Sequence, residues 1–316
     1  AVAGADTYQR QIQTLSFDVA NAYYNALAAE HATLLAEQVV KQNQTQEDLV
    51  TAQLRAGVVS RVDLATAQLP TAQARLALVK AQGTELSAYA SFDNTLGLDA
   101  NTLVRPVDNT PSIATASLLT PTLLTYSAAV ARALELRPDY LAAQNAVDAA
   151  QANLRAAKLG RFPVLTGDAN LSTRSTTSSG TDFRGSNGIG VSLNFPILDH
   201  GLTAFQTAQA AADLEKSNDQ LQIAKLGVQL SVKQALVGLV SAQSAVGQAQ
   251  AELSKAQEVL RATQAQYKAG VTTLPLLLNA QVGLTTAETD QLNAVYGLRQ
   301  AEQTYLLALG ESDTGQ

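Results

Sequence analysis

The sequence predicts a mainly α fold, in which long antiparallel coiled-coil helices carry one short antiparallel β-hairpin. Three observations predict it. A strict seven-residue apolar repeat runs from Val228 to Tyr267. Two stretches of the chain repeat one another at a fixed offset of 213 residues. Between them lies a short segment in which apolar and polar residues alternate.

The heptad has two seams. One is Val228, Ala235, Ala242, Ala249, Ala256 and Thr263; its partner is Val232, Leu239, Val246, Leu253, Leu260 and Tyr267. Small residues on one seam and large ones on the other allow knobs to enter holes at close approach. A 3.5-residue period gives a left-handed coiled coil. No Pro falls between positions 200 and 270, so one helix of roughly 100 Å is expected at ~1.5 Å per residue. A weaker seam near the start comprises Leu15, Val19, Ala22, Ala26, Ala29, Ala36 and Val40, with Asn43 and Glu47 interrupting it.

The repeat is clearest in LRAGVVSRVDLATAQ (54–68) and YKAGVTTLPLLLNAQ (267–281). The offset that pairs Gly57 with Gly270 also pairs Val58 with Val271, Leu64 with Leu277 and Gln68 with Gln281. Further along it pairs Leu96-Gly97 with Leu309-Gly310. A unit this long implies two structural halves, not a solenoid. Gly57 and Gly270 fall where helical patterns stop, and glycine suits the left-handed residue just past a helix end. New helical patterns begin near Val62 and Leu276, so each fragment is the turn of a long helical hairpin. Pro275 fits the first turn of its helix. Pro70 sits inside the other helix and predicts a kink.

The strands come last. In IGVSLNF (189–195), Ile189, Val191, Leu193 and Phe195 alternate with Gly190, Ser192 and Asn194, which predicts a strand with one apolar and one polar face. Residues 163–172 alternate less cleanly, with Leu165, Gly167, Ala169 and Leu171 against Thr166, Asp168, Asn170 and Ser172. The intervening STRSTTSSGTDFRGSNG (172–188) predicts a polar loop. Pro163 and Pro196 bound the pair, where a missing N–H is tolerated. A length near ten residues suits a tilted membrane-barrel strand. It equally suits a soluble hairpin capping a helical bundle, and periodicity leaves both readings open.

Composition narrows the function classes. The 316 residues carry a formal net charge of −6, which argues against a nucleic-acid partner, since that needs clustered Lys and Arg. There are no Cys, hence no thiolate metal site or Cys nucleophile. The chain has no Met, so it is expected to be a mature, processed or partial chain. No unbroken run of 18 apolar residues exists, so no transmembrane helix is expected; a barrel would leave no such run. The two histidines, His31 and His200, lack metal spacing and read as solvated surface residues. No dinucleotide, Walker, HExxH or GxSxG motif occurs. Neither an enzyme nor a cofactor is expected.

Five motifs in order carry a family resemblance: RPDYLAAQ (137–144), GRFPVLT (160–166), NFPILDHG (194–201), YKAG with LLLNAQ (267–281), and LLALG (306–310). Together they resemble the TolC-like outer-membrane efflux proteins over nearly the whole chain. The resemblance implies a homotrimer whose strands close one transmembrane β-barrel in the outer membrane and whose helices extend into the periplasm of a Gram-negative-type bacterium. It implies a passive exit duct of a tripartite efflux or type I secretion system, working with a periplasmic adaptor and an inner-membrane pump.

The resemblance also orders the chain. Residues 1–98 become the first-half descending helix, tip turn and return helix, 99–125 an equatorial linker, and 126–161 the second-half ascending helix. Residues 162–199 become the barrel strand pair with its extracellular loop, 200–310 the second descending helix, tip and return, and 311–316 a tail. It places adaptor docking at Gly57, Val58, Gly270 and Val271, and the periplasmic constriction at Asp63, Leu276 and Asn279. Asp63 stands six residues after the tip glycine, where that family often has an acid, while a plain exposed or N-cap aspartate is the alternative reading; the second half has no such acid. Ile189, Val191, Leu193 and Phe195 would face outer-membrane lipid, and Gly190, Ser192 and Asn194 the lumen. Family protomers bring two strand pairs and this chain has one. The offset of 213 would put the other before Ala1, so an N-terminal truncation is expected. The competing reading is a soluble or peripheral coiled-coil scaffold without channel activity; it leaves the paired glycines unexplained.

Overall fold

The computed structural model describes residues 2–99, 102, 104–107, 124–175 and 183–311. Most of the expected equatorial linker, the loop at 176–182 and the tail after 311 lie outside the described residues. Six helices and two strands follow in order: α1 (Val2–Arg55), α2 (Arg61–Thr95), α3 (Tyr126–Leu136), α4 (Pro138–Leu159), β1 (Val164–Ser175), β2 (Phe183–Asn194), α5 (Leu202–Lys268) and α6 (Leu274–Leu309). They fall into two compact units. One holds residues 1–6 and 139–226; the other holds residues 7–138 and 227–316.

The duplication is structural. Shifted by 213 residues, the ends of α1 and α2 fall on the end of α5 and within one residue of the bounds of α6. Both long helices stop by the same device. Gly57 has φ +74° and Gly270 φ +72°. The Val58 N–H donates to the Gln53 carbonyl (3.0 Å) and Gly57 N–H to Leu54 (3.0 Å); Val271 and Gly270 do the same to Gln266 (2.9 Å) and Tyr267 (3.0 Å). These are Schellman closures, in which an αL residue lets the turn satisfy the last carbonyls. Gly97 and Gly310 close α2 and α6 in the same way, at φ +72° and +80°.

The larger unit buries the heptad. On α5, Val228, Val232, Ala235, Leu239, Ala249, Leu253, Leu260 and Thr263 are buried, and Ala242, Val246, Ala256 and Tyr267 are half-buried. The first-half seam holds at Ala26 and Ala29 but fails at Leu15, which is exposed. Leu15 borders an open cleft with Phe17, Leu306 and Leu307, close to where α6 ends. Leu27, outside that seam, is fully buried against Leu292 and Tyr296. His31 is also not a plain surface residue: it is half-buried, with its ring 5.9 Å from Tyr296. Beyond α2, Asp93 is buried and its Oδ1 accepts the Val104 N–H (3.4 Å), while the Tyr23 hydroxyl donates to the Val107 carbonyl (2.8 Å).

Several boundaries differ from expectation. The segment expected as the second-half ascending helix, 126–161, is built of two helices, because Arg137 is extended (φ −76°, ψ 116°). A residue before proline is pushed out of the α region, and Pro138 then opens α4. α2 runs through Pro70, where the Thr66 carbonyl loses its intrahelical donor. α5 also contains an 18-residue window of mean hydropathy 1.3, apolar enough by length and composition to cross a membrane and 22% buried. The expectation of no such helix rested on unbroken runs. A heptad rich in Ala, Val and Leu reaches the same mean with polar residues interleaved.

In the smaller unit, β1 and β2 pair antiparallel from Val164↔Asn194 to Ser175↔Phe183. The strands therefore invade the expected polar loop from both sides. Side-chain alternation fades there, but the ladder is made by backbone groups and continues. Phe195 lies beyond β2. Its cross-strand position would be Pro163, which has no N–H to give, so the ladder stops at Asn194.

Candidate functional site: two helical tips and a strand ribbon

The two tips are built by the helix ends just described and pack on each other. Val50 of α1, Ala67 of α2, and Leu274 and Leu278 of α6 form one buried cluster, with Val59, Leu64 and Tyr267 against it. The Tyr267 hydroxyl donates to Gln53 Oε1 at 3.3 Å, a long and therefore weak bond that joins the end of α5 to the end of α1. The tip glycines and the valines after them, Gly57, Val58, Gly270 and Val271, all remain exposed.

Past the turns the halves diverge. Ser60 caps α2, and Asp63 completes a capping box. Asp63 Oδ2 accepts from the Ser60 N–H (2.8 Å) and hydroxyl (2.7 Å), and the Asp63 N–H donates to Ser60 Oγ (3.2 Å). The Ser60 hydroxyl, and then its N–H, hold the Asp63 carboxyl below the usual aspartate range. In α6 the equivalent positions are Thr273 and Leu276. Thr273 makes no side-chain cap, and Pro275 sits in the first turn. The acid is thus accounted for locally as a helix-starting group, a role that its spacing from Gly57 did not reveal but the S-x-x-D pattern could have. Leu276 and Asn279 are exposed, on the side away from the buried Leu277 and Leu278.

The ribbon has two unlike faces. Register places Leu165 opposite Leu193, Gly167 opposite Val191 and Ala169 opposite Ile189 on one side. The other side carries Thr166 opposite Ser192, Asp168 opposite Gly190 and Asn170 opposite Gly188. The apolar face is uncovered, with Ile189 90% and Val191 73% exposed. On the polar face Thr166 and Ser192 share a 2.7 Å hydroxyl hydrogen bond. A Cβ on Gly190 would come within 2.7 Å of Asp168 Oδ1, and one on Gly188 within 2.5 Å of Asn170 Oδ1. Those glycines let the two polar side chains lie across β2. Among the described residues no cluster of three His, Asp or Glu is arranged to hold a metal ion.

One pairing escaped the sequence. Arg137, from RPDY, is buried, and its Nη1 donates to Ser231 Oγ at 2.6 Å. Gly310, from LLALG, approaches it closely: a Cβ there would lie 2.9 Å from Arg137 Cγ and 3.1 Å from its N. The two motifs, far apart in the chain, are one contact.

Comparison with known proteins agrees with this architecture. The sequence model of the family described as outer membrane efflux protein matches residues 1–98 and 129–311. The chain is 24% identical to the outer membrane protein TolC of Escherichia coli over 318 residues, covering 96% of the chain and 63% of that protein. It is 29% identical to the outer membrane efflux protein BepC of Brucella suis, covering 95% of the chain and 67% of that protein. To the protein CyaE of Bordetella pertussis it is 27% identical, covering 97% and 64%. The chain thus spans about two thirds of the length of these curated relatives. Among solved structures, CusC superposes with a TM-score of 0.81 at 22% identity, covering 98% of this chain and 71% of that one. The open-state MtrE outer membrane channel of Neisseria gonorrhoeae superposes at 0.79 and 23% identity, covering 98% and 69%; both likenesses show the fold. With a family match over both halves of the duplication and the fold of solved outer-membrane channels, the chain belongs to the outer membrane efflux protein family.

Proposed function

We propose that the protein is an outer-membrane channel, the passive exit duct of a tripartite efflux or type I secretion system, with no catalytic step of its own. The observation that carries this reading is the strand ribbon. A lone two-stranded ribbon is marginal in water, and among the described residues this one leaves both edges unpaired and its apolar face bare. Closing into a barrel with further copies, apolar side toward lipid, removes every edge. Ile189, Val191 and Leu193 then face the outer membrane, and Gly190, Ser192 and Asn194 the lumen. Phe195, exposed one residue past the end of β2, belongs to the same lipid-facing set. Homotrimeric assembly is carried over from the family resemblance.

The helical tips supply the gate. Gly57, Val58, Gly270 and Val271 form exposed turns suited to docking a periplasmic adaptor, with an inner-membrane pump as energy source. Asp63, Leu276 and Asn279 line the constriction, with Asp63 also capping its helix. Opening follows when an adaptor binds the open tips better than the closed ones.

Carbonate extraction of envelope fractions, followed by single-channel recording of the purified protein in planar bilayers, tests the reading. A channel stays in the membrane pellet and conducts. A peripheral coiled-coil scaffold leaves with the supernatant and gives no conductance, which would overturn the proposal.

A further inference from the structure

We propose that Gln46, Thr71 and Gln281 form a parting plane between α6 and the α1–α2 pair, a layer packed without hydrogen-bond partners that opens locally to water. Its part in moving the tips rests on the channel reading above; the opening itself does not.

The layer lies one helical turn further from the tips than the apolar cluster of Val50, Ala67 and Leu278. Gln46 precedes Val50 by four residues on α1, Thr71 follows Ala67 by four on α2, and Gln281 follows Leu278 by three on α6. Residues three or four apart share a helix face, so three polar side chains follow three apolar ones along the same seam. Thr71 is 2% exposed and Gln281 7%. Gln46 Nε2, Thr71 Oγ1 and Gln281 Oε1 are shielded from solvent, and none has a hydrogen-bond partner among the described residues.

Neighbouring helical hydroxyls are treated differently. The Thr66 hydroxyl donates to the Val62 carbonyl (2.8 Å), and the Thr285 hydroxyl to the Gln281 carbonyl (3.2 Å). Thr71 makes no such bond to Ala67. Pro70, beside it, has no N–H to give the Thr66 carbonyl. A buried amide or hydroxyl left without a partner is less stable than an apolar group of the same shape in its place. The packing of α6 on α1 and α2 is therefore weaker at this level than at the apolar cluster below.

Room for water adjoins the layer. A cleft of about 220 Å³ is lined by Gln42 and Asn43 of α1, Pro70 and Ala74 of α2, and Gln281 of α6. At ~30 Å³ per molecule it accommodates several waters. Moving α6 outward by roughly 3 Å, twice the 1.4 Å radius of a water probe, brings such waters to the unpartnered atoms. Those atoms gain hydrogen bonds when the seam opens and lose them when it closes. That is the opposite of an ordinary core layer, and it places this level at the low-stability end from which moving elements are drawn.

The chain contains no Cys, so a single thiol reports the opening. Ala74→Cys, at a position 6% exposed on the cleft wall, is made in the otherwise intact protein and labelled with a small methanethiosulfonate. The rate is compared with and without the apolar pair Thr71→Val and Gln281→Met, whose side chains keep nearly the same shape. The pair is expected to raise Tm and to slow labelling by about fivefold or more, the equivalent of ~1 kcal/mol. Gln243→Met removes another unpartnered amide, on α5, and should leave the labelling rate unchanged. Labelling that is unchanged or faster with the apolar pair, or a lowered Tm, would overturn the plane, because the three groups would then be satisfied in the packed state. Equal slowing by Gln243→Met would overturn it too, since the thiol would be reporting global unfolding. If Ala74→Cys does not fold, amide hydrogen exchange over residues 71–77 of the cysteine-free chain reads the same opening, with the same slowing expected. Neither readout needs conductance, so losing the channel reading and losing this plane are separate outcomes.

Discussion

Gly310 lies against Arg137 so closely that any β-carbon would meet the arginine stem at 2.9 Å. Two demands meet at this one position, a left-handed φ of +80° and close approach of the chain that opens α4. Its repeat partner Gly97 has the first demand only, φ +72° with nothing within 4 Å. Ala at a left-handed φ costs about 1–2 kcal/mol. Gly97→Ala is expected to cost about that much, and Gly310→Ala clearly more, because backbone as well as a side chain must move. Thermal unfolding by far-UV circular dichroism separates them; equal losses would mean the close approach carries no weight.

The Tyr267 hydroxyl is the described side-chain hydrogen bond between the two tips. At 3.3 Å to Gln53 it is worth about 0.5–1 kcal/mol. If separating the tips opens the channel, Tyr267→Phe should raise the open-to-closed ratio roughly two- to fivefold. Adding Gln53→Leu should then add little, because the bond is already gone. Planar-bilayer recordings give the ratio, and additive effects of the two substitutions would show that they act separately.

Much of this was legible in the sequence, and for identifiable reasons. The α5 seams follow a strict heptad because one helix face packs along its length, so Leu239 and Val232 could be placed in the core from spacing alone. The tip glycines were legible because only a left-handed residue closes those turns. What resisted was tertiary. Arg137 and Gly310 carry no mutual signal in one sequence. The ladder beyond Ser172 and before Ile189 depends on backbone pairing that side-chain alternation does not record. Asp63 was read from its distance to Gly57, when the nearer Ser60 determines its hydrogen bonds.

That capping box makes the start of α2 sensitive to acid. The folded Asp63 pKa is depressed, so its contribution is present above the usual aspartate value of about 3.9 and is lost as pH falls through the lower, folded value. Amide hydrogen exchange in the first turn of α2 should therefore be unchanged down to about pH 5 and lose protection in stronger acid. The first turn of α6, with Leu276 in the matching place, provides the internal control and should show no such transition. Asp63→Asn should fray the first turn of α2 at neutral pH and abolish its pH dependence. A transition common to both helices would instead point to general acid unfolding.

The orientation of the ribbon is open to a direct test at Val191, which lies in the middle of the bare apolar face opposite Gly167. An arginine at the midplane of a barrel's lipid face costs ~2–4 kcal/mol, and a homotrimer multiplies that cost by the number of copies. Val191→Arg should therefore sharply reduce the protein recovered as trimer from outer membranes. Ser192→Arg, one residue along and on the opposite face, points into water and should assemble near normally while altering ion selectivity. Immunoblots of unheated membrane fractions report assembly, and reversal potentials report selectivity. Normal assembly of Val191→Arg with failure of Ser192→Arg would invert the faces, because the period of two along β2 allows only those two orientations.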